Sequence, residues 1–378
     1  GVETCHRGER PRPGREQAYR EHSAPMGSRG GGWVPWVWRE RTIDRGRVPI
    51  QTGHIMAKVT IIGATGQVGT YSAHTISAIP HVSEILLFGR TGRENLLAGI
   101  TQDLVDSFAA CGTGMELGWT TDMEDIAESD IVVLSAGIPR KPGQDRLDLA
   151  IANARIVAEI SRQIAEVSPS SMILVVTNPV DVMTSVALQY SGMDEQQVFG
   201  LGTHLDSMRL KSLIASYFKV HVSEVHTRII GEHGESMVPL WSATTIGGIQ
   251  ISNLPAFSRI PIQDMVEMVR TGGENIIRNR GATIFGPGEA IATLVKTILG
   301  NENRILTVSA YVKSEVHDIG DVCIGVPARI NRSGVFPVPI KIDPVEVKSF
   351  RESVEKIRSI TGEVISILEK NGMPVDMR

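Results

Sequence analysis

Lys58-Val59-Thr60-Ile61-Ile62-Gly63-Ala64-Thr65-Gly66-Gln67-Val68-Gly69 is the segment from which the architecture can be argued. Its opening run, Lys58 to Ile62, is short, β-branched and apolar, and reads as a buried strand. Glycines follow at G-x-x-G-x-x-G spacing, and a helical stretch continues to about Ile79. In a strand–loop–helix unit, glycine permits the tight turn, then a close approach of backbone N–H groups to a diphosphate, then close helix–strand packing. The helix N-terminus adds a partial positive charge. Gly63, Ala64, Thr65, Gly66, Gln67, Val68 and Gly69 are therefore candidate cofactor contacts. Glycines alone would equally suit a structural turn; the flanking strand and helix carry the functional reading.

The next strand is Glu84-Ile85-Leu86-Leu87-Phe88. A carboxylate about 20 residues past the glycines ordinarily bonds the ribose 2′-hydroxyl of NAD. Gly89 stands there instead, followed by Arg90 and Thr91. The group that would repel a 2′-phosphate is missing, and a guanidinium able to bind one is adjacent. Arg90 thus points to NADP acceptance, against the plainer reading of an exposed surface arginine. The αβ rhythm continues through Asp130–Gly137 and Met172–Thr177, near-continuous apolar runs of the kind found in parallel strands covered on both faces, with a helix from Leu149 to Val167 between them. The fold class is α/β: a doubly wound parallel sheet over residues 56–200, followed by a smaller α+β domain over 201–378. In that second part Val225–Ile229, Thr307–Tyr311 and Val322–Pro327 are candidate strands. Val347, Phe350, Val354, Ile357, Ile360, Val364 and Ile367 form an apolar stripe on a final helix, with Asp343, Pro344 and Glu346 at its start and Asn371-Gly372 and Pro374 at its end.

Composition sets the limits. The chain has 378 residues, 42% hydrophobic and 21% charged, enough for two ordinary domains. No run of 18 uncharged apolar residues exists, which argues against a membrane-spanning helix. The net charge of −4 is uneven: residues 1–55 carry 10 Arg, no Lys and 6 acids, so residues 56–378 hold −8. The first 55 residues show no helical or strand period and are broken by Pro11, Pro13, Pro25, Pro35 and Pro49. They read as a disordered extension, with Met56 as the natural start. Phosphate contact by the arginines is the competing reading. Cys5, Cys111 and Cys323 lack metal-ligand or disulfide spacing, which suggests a reducing compartment, and Cys111 and Cys323 read as buried thiols.

Four segments carry chemistry. Ile138-Pro139-Arg140-Lys141-Pro142-Gly143-Gln144-Asp145-Arg146 follows a strand end, with cations suited to a lid over an anion. Thr177-Asn178-Pro179-Val180-Asp181 follows another strand end, and Asn178 offers a donor and an acceptor. Gly202-Thr203-His204-Leu205-Asp206-Ser207-Met208-Arg209 sets Asp206 and Arg209 on one helical face. Ile230-Gly231-Glu232-His233-Gly234 supplies a histidine that an acid could turn into a proton carrier. Each alone has a plainer structural reading.

Together, in this order and spacing, these segments resemble the lactate/malate dehydrogenase family over nearly the whole of residues 56–378. The missing acid after the second strand is similar to the NADP-accepting malate dehydrogenases of methanogenic archaea. The resemblance implies that His233 exchanges the substrate hydroxyl proton, that Asp206 orients and stabilises its imidazolium, and that Arg209 binds the C1 carboxylate. It implies that Arg146 closes with the lid and polarises the carbonyl, and that Asn178 orients substrate and nicotinamide. It further places Asn153, Val176, Thr177 and Asn178 beside Arg90 and the glycine loop as NAD or NADP contacts. Family lactate enzymes usually carry Gln at the lid position of Arg140, and malate enzymes carry Arg. A second substrate carboxylate buried without a cation would cost several kcal/mol, so the implied substrate is a dicarboxylate, malate or oxaloacetate.

The expected protein is a cytoplasmic homodimer or homotetramer that binds neither nucleic acid nor membrane. The alternatives are a lactate dehydrogenase and a non-catalytic nucleotide-binding module with a basic tail. Removing residues 1–55 should leave the melting temperature and dehydrogenase turnover unchanged; a loss of either would show that the segment belongs to the catalytic body.

Overall fold

The computed structural model describes residues 56–139, 146–314, 316, 319–373 and 375, with the Arg146 side chain excepted. The proposed extension over residues 1–55 and the lid residues 140–145 lie outside the described residues. Parallel strands β1 (Ala57–Ile62), β2 (Val82–Phe88), β3 (Glu116–Thr120), β4 (Ile131–Leu134), β5 (Met172–Val175) and β6 (Val198–Gly200) lie in the order 3-2-1-4-5-6. Helices α1 (Gln67–Ile76), α2 (Glu94–Cys111), α3 (Arg146–Val167) and α4 (Val180–Ser191) connect them. The strand order reverses between β1 and β4, and open α/β sheets form their ligand crevice at the carboxyl ends of the strands beside such a reversal. β4 and β5 are buried at every residue, as their unbroken apolar runs require.

The second half runs α5 (His204–Phe218), β7 (Val225–His226), β8 (Ile229–Gly231), β9 (Met237–Pro239), β10 (Thr245–Ile246), β11 (Ile249–Gln250), α6 (Ile262–Arg280) and α7 (Phe285–Leu299), then β12 (Arg304–Val312), β13 (Val322–Asn331), β14 (Gly334–Pro337) and α8 (Pro344–Lys370). β12 and β13 form a long antiparallel hairpin, and β13 also pairs with β14 and β8. The hairpin joins the parallel half through β6, where Ser309 pairs with Gly200. Eleven strands of the described residues thus form one sheet. Its core is shared: Val59, Ile61 and Leu87 belong to the same apolar cluster as Val308, Val326 and Phe350.

Several sequence expectations shift in detail. The single strand expected over Val225–Ile229 is two. β7 pairs with β10 in a small sheet and β8 joins the large one, because the Thr227 and Arg228 side chains turn to Thr244 and to the Ile305 carbonyl. Helix α1 ends at Ile76, before Ile79, where Ser77 bonds back to the His74 carbonyl. Cys323 is buried on β13, and burial pushes its thiol up to about 12. Cys111 is exposed, since it ends α2 on the outward face, so the expectation of a buried thiol fails there. The last helix forms as its residues dictate. Asp343 accepts the Val345 N–H at 2.8 Å and Glu346 accepts the Asp343 N–H at 3.2 Å, a complete capping box.

Gly63 has φ +91°, and a Cβ there would lie 2.7 Å from the Ala136 nitrogen. Gly63→Ala should therefore lower the unfolding free energy by roughly 2 kcal/mol or more. Gly99→Ala, in the exposed middle of α2 with no atom within 4 Å of its Cβ, should raise it by about 0.5–1 kcal/mol. Urea denaturation of the two variants reads both signs.

Candidate active site

At the mouth of the crevice, the loop after β1 is built without room for side chains. A Cβ on Gly69 would sit 2.6 Å from the Gly63 carbonyl oxygen, so helix and loop touch backbone to backbone. Gly66 is the N-cap of α1, and no side chain caps this helix. Its first N–H groups keep their donor capacity for a ligand. That donor set, with the helix dipole behind it, fits a diphosphate. Thr65, Gly66 and Gln67 line the open side, Val68 is half-buried, and Ala64 and Gly69 are buried.

At the end of β2, the Gly89 N–H donates to the Thr120 carbonyl at 3.1 Å. A Cβ on Gly89 would meet Leu97 Cδ1 at 3.0 Å, so an acidic side chain fits there only if Leu97 moves. Arg90 is exposed, and its guanidinium has no partner among the described residues.

The ends of β4 and β5 are stitched together by polar side chains. Thr177 Oγ1 donates to the Ala136 carbonyl at 2.7 Å. Asn153, buried on α3, accepts the Ile138 N–H at 2.7 Å and donates to the Asn178 carbonyl at 2.8 Å. Its amide is committed to the backbone of the two loops that frame the crevice. Val176 is half-buried between them. Asn178 is exposed beyond β5, its amide has no partner among the described residues, and the Asn178–Pro179 peptide is cis.

The deepest part of the site comes from α5. Its start places Asp206 in the first turn, where the helix dipole favours a carboxylate, and Arg209 one turn later. Asp206 is 1% exposed and both its oxygens are engaged. Oδ2 accepts a hydrogen bond from His233 Nδ1 at 2.5 Å, and Oδ1 accepts one from Arg209 Nη1 at 3.1 Å. Because a carboxylate can only accept, His233 carries its proton on Nδ1, and Nε2 is the nitrogen left for a substrate. The ring retains 27% of its surface. The charge of Asp206 raises the His233 pKa above the usual imidazole range; burial opposes this, and the Asp206 hydrogen bond and the charge of Asp181 reinforce it. His204, two residues before Asp206, behaves oppositely. Burial, then Arg304 and Arg228, push it down to about 4, so it stays neutral.

The loop that carries His233 is braced from two sides. Asp181, in the first turn of α4, accepts the His233 N–H at 2.8 Å. From α8, Ser353 accepts the Glu232 N–H at 2.8 Å and Lys356 Nζ pairs with Glu232 at 2.8 Å. Sequence reading missed these supports. It also missed Gly272 and Gly273 on α6, whose absent side chains leave space within 4 Å of the Arg209 guanidinium. Two adjacent glycines inside an amphipathic helix were a usable signal, because each costs helix stability of about 1 kcal/mol and needs a reason. Arg140 and the side chain of Arg146 lie outside the described residues. Among the described residues, no helix is long and apolar enough to cross a membrane.

Known proteins resemble this chain in sequence and fold. The model of the lactate/malate dehydrogenase NAD binding domain matches residues 57–200, and that of the family's alpha/beta C-terminal domain matches residues 203–367. The L-2-hydroxycarboxylate dehydrogenase (NAD(P)(+)) of Methanocaldococcus jannaschii is 48% identical over 310 residues, 81% of this chain and 99% of that relative. The malate dehydrogenase of Methanothermobacter marburgensis is 47% identical over 322 residues, 83% of this chain and 98% of the relative. The crystal structure of the malate dehydrogenase from Plasmodium falciparum superposes with a TM-score of 0.79 at 28% identity, covering 83% of this chain and all of that one. The chain belongs to the lactate/malate dehydrogenase family, oxidoreductases that act on a CH–OH group with NAD(P).

Proposed function

We propose that the chain interconverts (S)-malate and oxaloacetate and accepts NADP as well as NAD. The observation that carries the reading is the array around Asp206, whose two oxygens accept hydrogen bonds from His233 Nδ1 and from the Arg209 guanidinium one helical turn along α5. The chemistry a bound nicotinamide supplies is acceptance or return of a hydride at the hydroxyl-bearing carbon. The protein's own residues do the rest. His233 Nε2 takes the hydroxyl proton in oxidation and gives it back in reduction. Asp206 keeps the ring oriented and offsets the positive charge that forms on it. Arg209 binds the C1 carboxylate through two N–H donors, and its guanidinium is bordered by Gly272 and Gly273 of α6. Asn178 orients substrate and nicotinamide. Arg146 polarises the carbonyl as the lid closes, and Arg140 neutralises the second carboxylate. Lid closure expels water and strengthens every one of these charge interactions.

The relatives support this reading: the Methanothermobacter protein is a malate dehydrogenase, and the Methanocaldococcus one is an L-2-hydroxycarboxylate dehydrogenase (NAD(P)(+)). The unpartnered Arg90 beside buried Gly89 supports the NADP part. The family background supports a homodimer or homotetramer, and the spans of the two family models, 57–200 and 203–367, support a domain division near residue 200.

Rates with oxaloacetate and pyruvate, each paired with NADPH and NADH, test the reading in four measurements. Oxaloacetate should dominate with both coenzymes. Arg140→Gln should lower oxaloacetate turnover by orders of magnitude and spare pyruvate; equal oxaloacetate rates before and after would defeat the dicarboxylate assignment. Arg90→Ser should lower kcat/KM for NADPH about 10-fold or more, the worth of one charge-assisted contact to phosphate, and leave NADH nearly untouched. Gly89→Asp should favour NADH only when Leu97 is shortened with it, for example to Val.

A further inference from the structure

His233 faces a second carboxylate besides Asp206. Asp181 is buried to 2% and sits on α4, three residues after Asn178. Its Oδ2 accepts the backbone N–H of His233 at 2.8 Å, and its Oδ1 is buried with no hydrogen-bond partner among the described residues. Ser309 Oγ, on β12, faces the same carboxylate without reaching hydrogen-bonding geometry, so it contributes a dipole only. An acid in this place is costly, since a buried, half-satisfied carboxylate is disfavoured by several kcal/mol relative to water. An amide or hydroxyl oxygen could accept the same N–H at lower cost. Anchoring the loop therefore does not by itself account for the charge.

We propose that Asp181 is a positioning residue for proton transfer: its carboxylate fixes the backbone of the His233 loop and its charge helps keep the His233 ring protonated between turnovers. The proposal rests on the reading of His233 as the proton carrier. The charged and titratable groups around the pair come from every neighbouring element. Among the described residues they are Asp206 and Arg209 from α5, Glu232 from the loop itself with Lys356 of α8 beside it, and Cys323 from β13. Asp181 stands raised to about 6: burial, the largest influence, lifts it, the His233 N–H, the Ser309 hydroxyl and the His233 charge hold it back, and Glu232 adds to the rise. The charge of Asp181 in turn raises His233. The two groups influence each other's protonation, as coupled sites do.

The signs follow directly. Oxaloacetate reduction needs protonated His233, so its rate falls as pH rises through the histidine's raised value. Malate oxidation needs the neutral ring, so its rate rises through the same value. Removing the Asp181 charge lowers that value, and both limbs move to lower pH.

The test is the pH profile of kcat/KM in both directions for the full chain and for Asp181→Asn and Asp181→Ala. Asp181→Asn keeps an acceptor for the His233 N–H and loses the charge; Asp181→Ala loses both. Both should shift the midpoint down by roughly half to one pH unit, and Asp181→Ala should show the larger fall in kcat, with KM for oxaloacetate little changed. If Asp181→Asn does not fold, the midpoint of Asp181→Ala carries the test. A fall in kcat with an unmoved midpoint overturns the proposal, because an anchor alone predicts that outcome. His233→Gln separates the two levels. If it abolishes turnover while the Asp181 midpoints stay fixed, the Asp181 proposal fails and the proton-carrier reading stands. If His233→Gln retains turnover, the proton-carrier reading itself fails.

Discussion

Asp206 holds the site together by a division of its two oxygens. One accepts a hydrogen bond from the His233 ring, the other from the Arg209 guanidinium. At 1% exposure such a charge survives only if both of its neighbours are cationic or donating. That requirement fixes much else. Arg209 must lie one turn down the same helix, the helix must start at the end of β6, and the loop after β8 must deliver His233 to within hydrogen-bonding distance. The α8 contacts through Ser353 and Lys356 exist to keep that delivery accurate.

Much of this was legible in the sequence, for reasons that differ by region. The parallel half declares itself because a strand covered on both faces has no polar position to hide, as Ile131–Leu134 and Met172–Val175 illustrate. The α8 cap is local chemistry within four residues and needs no tertiary knowledge. The switch of sheet between β7 and β8 was not legible. Both strands are short, and which partner each takes depends on residues such as Thr244 and Ile305 far along the chain.

The site shows the same contrast. His233, Asp206 and Arg209 could be found because their types and order carry the chemistry. Asp181 could not, since an acid in a first helical turn is ordinarily a solvated capping preference, and only the fold turns it toward the His233 backbone. Asn153 illustrates the reverse. It sits among the residues expected at the cofactor, and its amide is spent on the carbonyl and N–H groups that shape the crevice. The burial of Cys323 and the exposure of Cys111 likewise follow from where β13 and α2 end up, not from the residues beside them.

The pairing of Ser309 with Gly200 has a mechanical consequence. It makes the antiparallel hairpin an extension of the parallel sheet, and the apolar cluster continues across the seam. The two stretches matched by separate family models are accordingly not independent cooperative units. A polypeptide severed after Gly200 would present an unpaired strand edge and half of a core, the ordinary setting for aggregation. Thermal or denaturant unfolding should pass through one transition for both stretches together.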